Sequence, residues 1–392
     1  MKKLWLLLLC IFTVVKVTSQ NILSQEAKVS VLTIGPGASL NDSFGHSAFR
    51  IKDDSNQLDL VFNYGVYDFE TPNFYLKFAQ GKLNYLLGVN FYHDFLASYM
   101  AQNRTIEEQV LNLTPFQKQE FFDYLLTNYE PENRAYLYDF FYDNCATRIR
   151  DVAKDILKDD LIFNTPQSIS DRTFRQLIQE NLNKNSWGSL GIDIALGAVI
   201  DKKAKPEEFM FLPEFIFDFF NEATINNSQK PLVKETNVVY QKVEKSVSSN
   251  FLLSPLMVFL IIALLIVFIT YSDFKKGKRT VWLDGFIFGI TGFIGICLLL
   301  LWFATDHSAT ANNYNVLWAF PLNLMVLHQV LKKTPKNWFK KYLKFLLIML
   351  CLLTLHWSIG VQVFAITLLP VLIALAIRYI YLISYFNQSP NN

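Results

Sequence analysis

Phe140-Phe141-Tyr142-Asp143-Asn144-Cys145-Ala146-Thr147-Arg148-Ile149-Arg150-Asp151 is the stretch on which the reading of this chain turns. Asp143 or Asn144 is suited to cap a helix from Cys145 through Leu157, whose apolar face is Ile149, Val152, Ile156 and Leu157. A cysteine on the first turn meets the positive end of the helix, which favours its thiolate. Upstream, Phe44-Gly45-His46-Ser47-Ala48-Phe49-Arg50-Ile51 puts a histidine at the start of a strand pattern. An imidazole beside that thiol would act first as base and then as acid. Taken alone, a buried cysteine is commonly a small hydrophobe, and a strand histidine is commonly a hydrogen-bonded structural group. The pair, with Asp143, Asn144, Thr147 and Arg148 around the cysteine, favours a Cys-His nucleophilic enzyme. A third polar group usually orients such a histidine. Asp59 and Asn63 share one face of the next strand and are the two candidates, with Asn63 preferred.

Around these residues, Val29 to Ile34 reads as a strand and Gly35-Pro36-Gly37 as a turn. His46 to Ile51 and Leu58 to Tyr64 read as paired strands joined by the polar loop 52–57. Thr114-Pro115 opens a helix with Phe121, Phe122, Leu125 and Leu126. Residues 226–250 are polar, with little periodicity, and read as a tether. Aromatics such as Tyr136, Tyr138, Phe140, Phe141 and Tyr142 are ordinarily core, although some could line an acyl groove or rest on a bilayer.

Location comes from charge and hydropathy. The chain has 392 residues, 52% of them hydrophobic, and a net charge of only +2, so nothing points to a nucleic-acid partner. Met1-Lys2-Lys3, the apolar run Leu4 to Val15 and the small residues near Ser19 read as a signal peptide over 1–19. Cys10 follows Leu9, which is not the small residue a lipoprotein cleavage site wants. An exported domain over 20–225 and the 226–250 linker precede a five-span membrane domain over 251–384 and a cytoplasmic tail over 385–392. The five apolar segments are 251–271, 281–304, 314–331, 342–358 and 361–384; each is near the ~20 residues that cross the hydrocarbon layer. Asn323, His328 and His356 interrupt the third and fourth. Lys275 to Arg279, and Lys332 to Lys336 with Lys340 and Lys341, make two loops cytoplasmic, so residues 20–250 face the periplasm. Cys297 and Cys351 then fall within spans, and Cys145 is the only cysteine outside. Alone in an oxidising compartment, it has no intramolecular disulfide partner. No histidine pair or CxxC spacing supports a metal site, and no cofactor is expected. His93 reads as a structural or interfacial residue. The outer loop Asp306-His307-Ser308-Ala309-Thr310-Ala311-Asn312-Asn313-Tyr314-Asn315 is dense in hydrogen-bonding groups. It either caps two helices or contacts substrate. Candidates for substrate contact are Ser47, Asn144 and Arg148 near the pair, and His307, Asn312 and Asn315 in this loop.

A strand histidine preceding a helix-start cysteine resembles the circularly permuted papain-like group. Its lecithin:retinol acyltransferases carry an Asn-Cys pair like Asn144-Cys145 and take an acyl chain from a phospholipid as a thioester. Phe44 to Ile51, Tyr67-Asp68-Phe69-Glu70-Thr71-Pro72-Asn73-Phe74-Tyr75, and Tyr138 to Arg148 more closely resemble the exported domain of the Lnb-type lipoprotein N-acyltransferases. The resemblance continues through the membrane region, including the His307 loop. It implies an α+β, permuted papain-like exported domain followed by an all-α bundle of five helices. It also implies Cys145 as nucleophile and His46 as base, a membrane phospholipid as acyl donor and an exported lipoprotein as acceptor, in the inner membrane. A membrane-anchored cysteine hydrolase of cell-wall peptide or lipid ester, and a non-enzymatic envelope-assembly protein, are the alternatives.

Overall fold

The computed structural model describes residues 22–225, 230–244 and 251–388; the expected leader over 1–19 and the end of the tail, 389–392, lie outside them. Side-chain alternation organises the first half. Strands β1 (Lys28–Ile34), β2 (His46–Asp53), β3 (Leu58–Val66), β4 (Asn84–Phe91), β5 (Ile106–Leu111), β6 (Ala135–Leu137) and β7 (Val233–Tyr240) form one sheet in the order β6-β4-β3-β2-β1-β5-β7. Its neighbouring strands pair antiparallel. Short helix α1 (Phe74–Ala79) precedes β4, and α2 (Tyr92–Ala101) follows it. On one face of the sheet, Leu32, Ile34, Ala48, Val61 and Ile106 pack with Phe95 of α2. The intervening residues Val31, Phe49, Ile51 and Phe62 point to the other face. There they meet Phe121, Phe122 and Leu125 of α3 (Pro115–Tyr129), and Ile149, Val152 and Ala153 of α4 (Cys145–Leu157).

The expected polar tether is in part a strand: Val233–Tyr240 pairs with β5 at the sheet's edge. Charged, largely exposed residues suit an unpaired edge, where they discourage further strand addition. The same residues hide the strand from a reading based on hydrophobic alternation.

Three further helices, α5 (Phe174–Glu180), α6 (Trp187–Ala195) and α7 (Pro213–Glu222), lead toward the membrane region. In that region α8 (Pro255–Lys276) and α9 (Val281–Phe303) are long and apolar enough to cross a bilayer. So is the segment Ile366–Gln388, which contains α11 (Leu369–Gln388). Helix α10 (Asn337–Ser358) matches them in length but carries Lys340, Lys341 and Lys344 in its first half.

The third expected span, 314–331, is not a continuous helix. It is a 3-10 turn, Tyr314–Leu317, followed by two four-residue helical turns, Leu322–Met325 and Leu327–Val330. It nevertheless runs antiparallel along α9. A Cβ on Gly295 would meet the Ala319 carbonyl, one on Gly292 would meet Leu324, and one on Gly285 would touch Leu331. Glycine at 292 and 295 is what lets a broken backbone approach so closely. Broken backbone at membrane depth is tolerated when protein covers it. Accordingly, the buried Asn323 donates to Thr291 Oγ1 and accepts from Tyr342 Oη, 2.8 and 2.6 Å away.

At the lysine-rich end of the bundle, buried Arg378 bridges Asp273 and Asp284 at 2.8 and 2.7 Å, and Arg279 also reaches Asp284. This pairing joins α8, α9 and α11 without leaving a buried charge unpaired.

Candidate active site

Two element starts meet at one end of the sheet. His46 is the first residue of β2 and Cys145 the first residue of α4. Asn144 caps the helix: its Oδ1 accepts from the N–H groups of Ala146 and Thr147 at 2.8 and 2.9 Å. Thr147 Oγ1 returns the bond by accepting from Asn144 N–H. Such a reciprocal cap fixes the first turn and therefore the position of the sulfur. Between the two elements β3 bulges at Gly65, whose φ of +90° suits glycine. A Cβ placed there would lie 3.6 Å from Cys145 Cβ and 3.9 Å from Tyr136 Oη.

The thiol is buried and hydrogen-bonds to His46, and it accepts from the backbone N–H groups of Ser47 and Ala146. The other side of the imidazole faces Asn63, with 2.5 Å between His46 Nε2 and Asn63 Oδ1. An amide oxygen only accepts, so Nε2 carries the proton and Nδ1 is left for the sulfur. Tyr99 stacks on the ring at a centroid distance of 6.1 Å.

Burial pushes the Cys145 thiol up. The charge and hydrogen bond of His46, with the two backbone donors, outweigh burial and hold the thiol below its ordinary value. Burial likewise pushes His46 down, but the charge and hydrogen bond of Cys145 and the bond to Asn63 hold it above 6.5. The two shifts share one cause, a thiolate beside an imidazolium. Tyr136 carries a buried hydroxyl with no hydrogen-bond partner among the described residues. Burial, then the nearby Cys145 charge, keeps it protonated far into the alkaline range.

Two family models match this chain: the Lnb N-terminal periplasmic domain over residues 16–179 and the Lnb transmembrane domain over residues 246–389. The chain belongs to the Lnb-type lipoprotein N-acyltransferase family. It is a membrane protein with a periplasmic N-terminal domain and a C-terminal membrane domain. Comparison with curated proteins and with solved structures found no match.

In this Lnb chain the other candidates have different surroundings. Asp59, the alternative to Asn63, is not on the imidazole. Its two oxygens accept from Arg50 Nε and Nη2 at 2.8 Å, and Arg50 also holds Glu108. Along β3, Asp59 is nearer the hairpin end and Asn63 nearer the bulge, so only Asn63 reaches the ring. Asn144 has both donors and its acceptor engaged: besides capping α4 it donates to the carbonyls of Phe140 and Phe211. It shapes the helix start. The Ser47 side chain is buried, and its backbone N–H is what reaches the sulfur. Arg148 is held by both oxygens of Asp143, at 2.5 and 2.6 Å, and lies 4.2 Å over the Tyr136 ring. It therefore fixes the tyrosine whose hydroxyl faces the thiol corner.

The outer loop joins the two domains. Asn313 and Asn315 are fully buried and donate to the carbonyls of Asp193, Ile194 and Ala195 at the end of α6. Asn312, at φ +55°, accepts from Ala198 N–H through its carbonyl. His307 Nε2 lies 3.1 Å from the Phe78 carbonyl. These contacts tie the loop to the end of α6 and to the Phe78 carbonyl. The loop approaches the thiol corner through Ser308, which donates to Asp139 Oδ2 at 2.5 Å. Asp139 Oδ1 in turn accepts from the N–H groups of Phe141 and Tyr142, just before the cap. A cavity of about 310 Å³ lies here, lined by Phe141, Tyr142, Val199, Lys202, Ser308 and Ala309. His93 is exposed beside Asp94.

Sequence reasoning missed Tyr99, Gly65 and the Tyr136 hydroxyl. Only the glycine had a signal, since a lone glycine in a strand pattern marks a bulge or a close approach.

Proposed function

We propose that this protein is a thiol-dependent N-acyltransferase of lipoprotein maturation in the inner membrane. In this reading it carries an acyl chain from a phospholipid to the α-amino group of a diacylglyceryl-cysteine. The observation that supports this most is the buried sulfur paired with His46 and backed by Asn63. In the permuted papain-like arrangement proposed here, Cys145 is the nucleophile, His46 the base and acid, and Asn63 the positioning residue.

The Cys145 thiolate attacks the ester carbonyl carbon, forming a C–S bond and an oxyanion. In this reading that oxyanion accepts from the Cys145 N–H, which as the first helical residue has no carbonyl partner within the helix, and from Tyr136 Oη. Collapse breaks the ester C–O bond, and the departing alkoxide takes the proton from His46 Nδ1. Lysophospholipid leaves, and the chain remains as a thioester. Neutral His46 then accepts a proton from the incoming amine as its nitrogen attacks the thioester carbonyl. The C–S bond breaks, the amide forms and the thiolate–imidazolium pair is restored. An α-amino group titrates near 8, so a useful neutral fraction exists at periplasmic pH.

Mass spectrometry of a lipoprotein N-terminus with and without the protein tests the reading: a third acyl chain appears only in its presence. A lipoprotein that stays diacylated while free fatty acid accumulates would identify a hydrolase instead.

Replacing Tyr136 with phenylalanine removes one oxyanion donor and almost no volume. Thioester formation from phospholipid is expected to slow by about 10- to 1000-fold. The alkylation rate of Cys145 should stay unchanged, because the hydroxyl makes no hydrogen bond to the Cys145–His46–Asn63 group. Unchanged turnover would return Tyr136 to the core.

A further inference from the structure

We infer that the segment from Tyr67 to Phe78 is a lip immersed in the outer leaflet of the bilayer, bringing the thiol corner to the depth of lipid ester groups. The first observation is exposure. Phe69, Tyr75, Leu76 and Phe78 are 65%, 79%, 57% and 54% exposed, an apolar surface that nothing among the described residues covers. Solvated patches of this kind mark an interaction surface.

The second observation identifies the occupant. The lip is fastened to the chain as it leaves α9. Asp306 N–H donates to the Gln80 carbonyl at 2.8 Å, and His307 Nε2 meets the Phe78 carbonyl. Helix α9 ends at Phe303, 73% exposed and stacked on Trp302, the aromatic pair expected where a span reaches the interface. Only Ala304 and Thr305 separate that end from Asp306, so the lip sits at the level where the span emerges. The charges within and just after the segment, Asp68, Glu70, Lys77 and Lys82, cancel. The partner is therefore recognised by apolar contact with lipid chains and not by headgroup charge.

The third observation is continuity with the site. From Phe69 and Phe74, ring contacts run through Tyr67 to Tyr85 at 5.5 Å, and from Tyr85 to Tyr138 at 4.2 Å. Tyr138 lies 4.0 Å from the point beside Gly65 that faces Cys145. A lipid whose chains rest on the lip thus has a short aromatic path to the sulfur. That last step rests on the acyl-transfer reading; the immersion itself does not.

The test uses the full chain in nanodiscs of phosphatidylethanolamine and phosphatidylglycerol. Cys145→Ser, Cys297→Ala and Cys351→Ala provide the background, and a nitroxide is attached at Tyr75→Cys or Phe78→Cys. Ser55→Cys, in the hairpin at the end of β2 opposite His46, is the aqueous reference. At positions 75 and 78 the label should collide more often with oxygen than with a water-soluble nickel chelate, and added salt should leave the ratio unchanged. Position 55 should show the opposite preference. Nickel-accessible labels at 75 and 78, like the label at 55, would overturn the inference. Lipid-immersed labels, in a protein whose unlabelled wild type transfers no acyl chain, would support the lip and sink the acyl-transfer reading alone.

Discussion

Cys145→Ser should leave the lipoprotein N-terminus diacylated while the protein still folds and inserts. The sulfur's place is set by the Asn144 cap and the Gly65 bulge, neither of which depends on the atom at the tip of residue 145. A serine hydroxyl keeps the size and the hydrogen bonds but does not ionise beside an imidazole at neutral pH. Loss of a nucleophile in such a unit costs on the order of 10⁴-fold or more in turnover. The variant should also lose periplasmic labelling by a thiol reagent. A variant that still yields triacylated lipoprotein at the wild-type rate would remove the thiol from the chemistry and favour the non-enzymatic reading.

His46→Ala should separate ionisation from reactivity. In the wild type the thiol is held below its ordinary value because the imidazolium outweighs burial. Remove the imidazole and burial is the largest influence left, which pushes the thiol up. The pH profile of Cys145 alkylation should therefore move to alkaline pH in the variant, and its rate near neutrality should fall. The wild-type activity profile has the complementary form. It falls on the acid side as the thiolate protonates, below the usual thiol range. On the alkaline side it falls as His46, held above 6.5, loses its proton. Acyl transfer in the variant should drop by about 10²- to 10⁴-fold. An alkylation profile that His46→Ala leaves unmoved would dissolve the pair.

Much of this was legible in the chain because the signals are local. Helix α4 begins at Cys145 as its cap residue and apolar period indicate, and α3 begins at Pro115 behind a Thr114 cap. The pairing of β2 with β3 follows from alternation around a polar loop. Asn63 and Asp59 share a face, so periodicity could not choose between them. The choice comes from position along the strand, with Arg50 holding one and His46 the other. The broken crossing after Tyr314 was unreadable for a different reason. An apolar run has the same hydropathy whether its backbone is one helix or several turns, and the turns depend on glycines of α9 far away in sequence. The outer loop's hydrogen-bonding groups were visible, but their partners at the end of α6 are long-range and leave no local mark. Strand β7 was hidden by the charges that protect its open edge.

The central claim is a covalent acyl chain on one sulfur. Intact-mass spectrometry of the full-length protein, incubated with phospholipid and no amine acceptor, measures it directly. The account predicts a mass gain equal to one acyl chain less a hydrogen, located at Cys145, released by neutral hydroxylamine and absent from Cys145→Ser. No adduct in a preparation that nonetheless acylates lipoprotein, or an adduct that resists hydroxylamine, would contradict it.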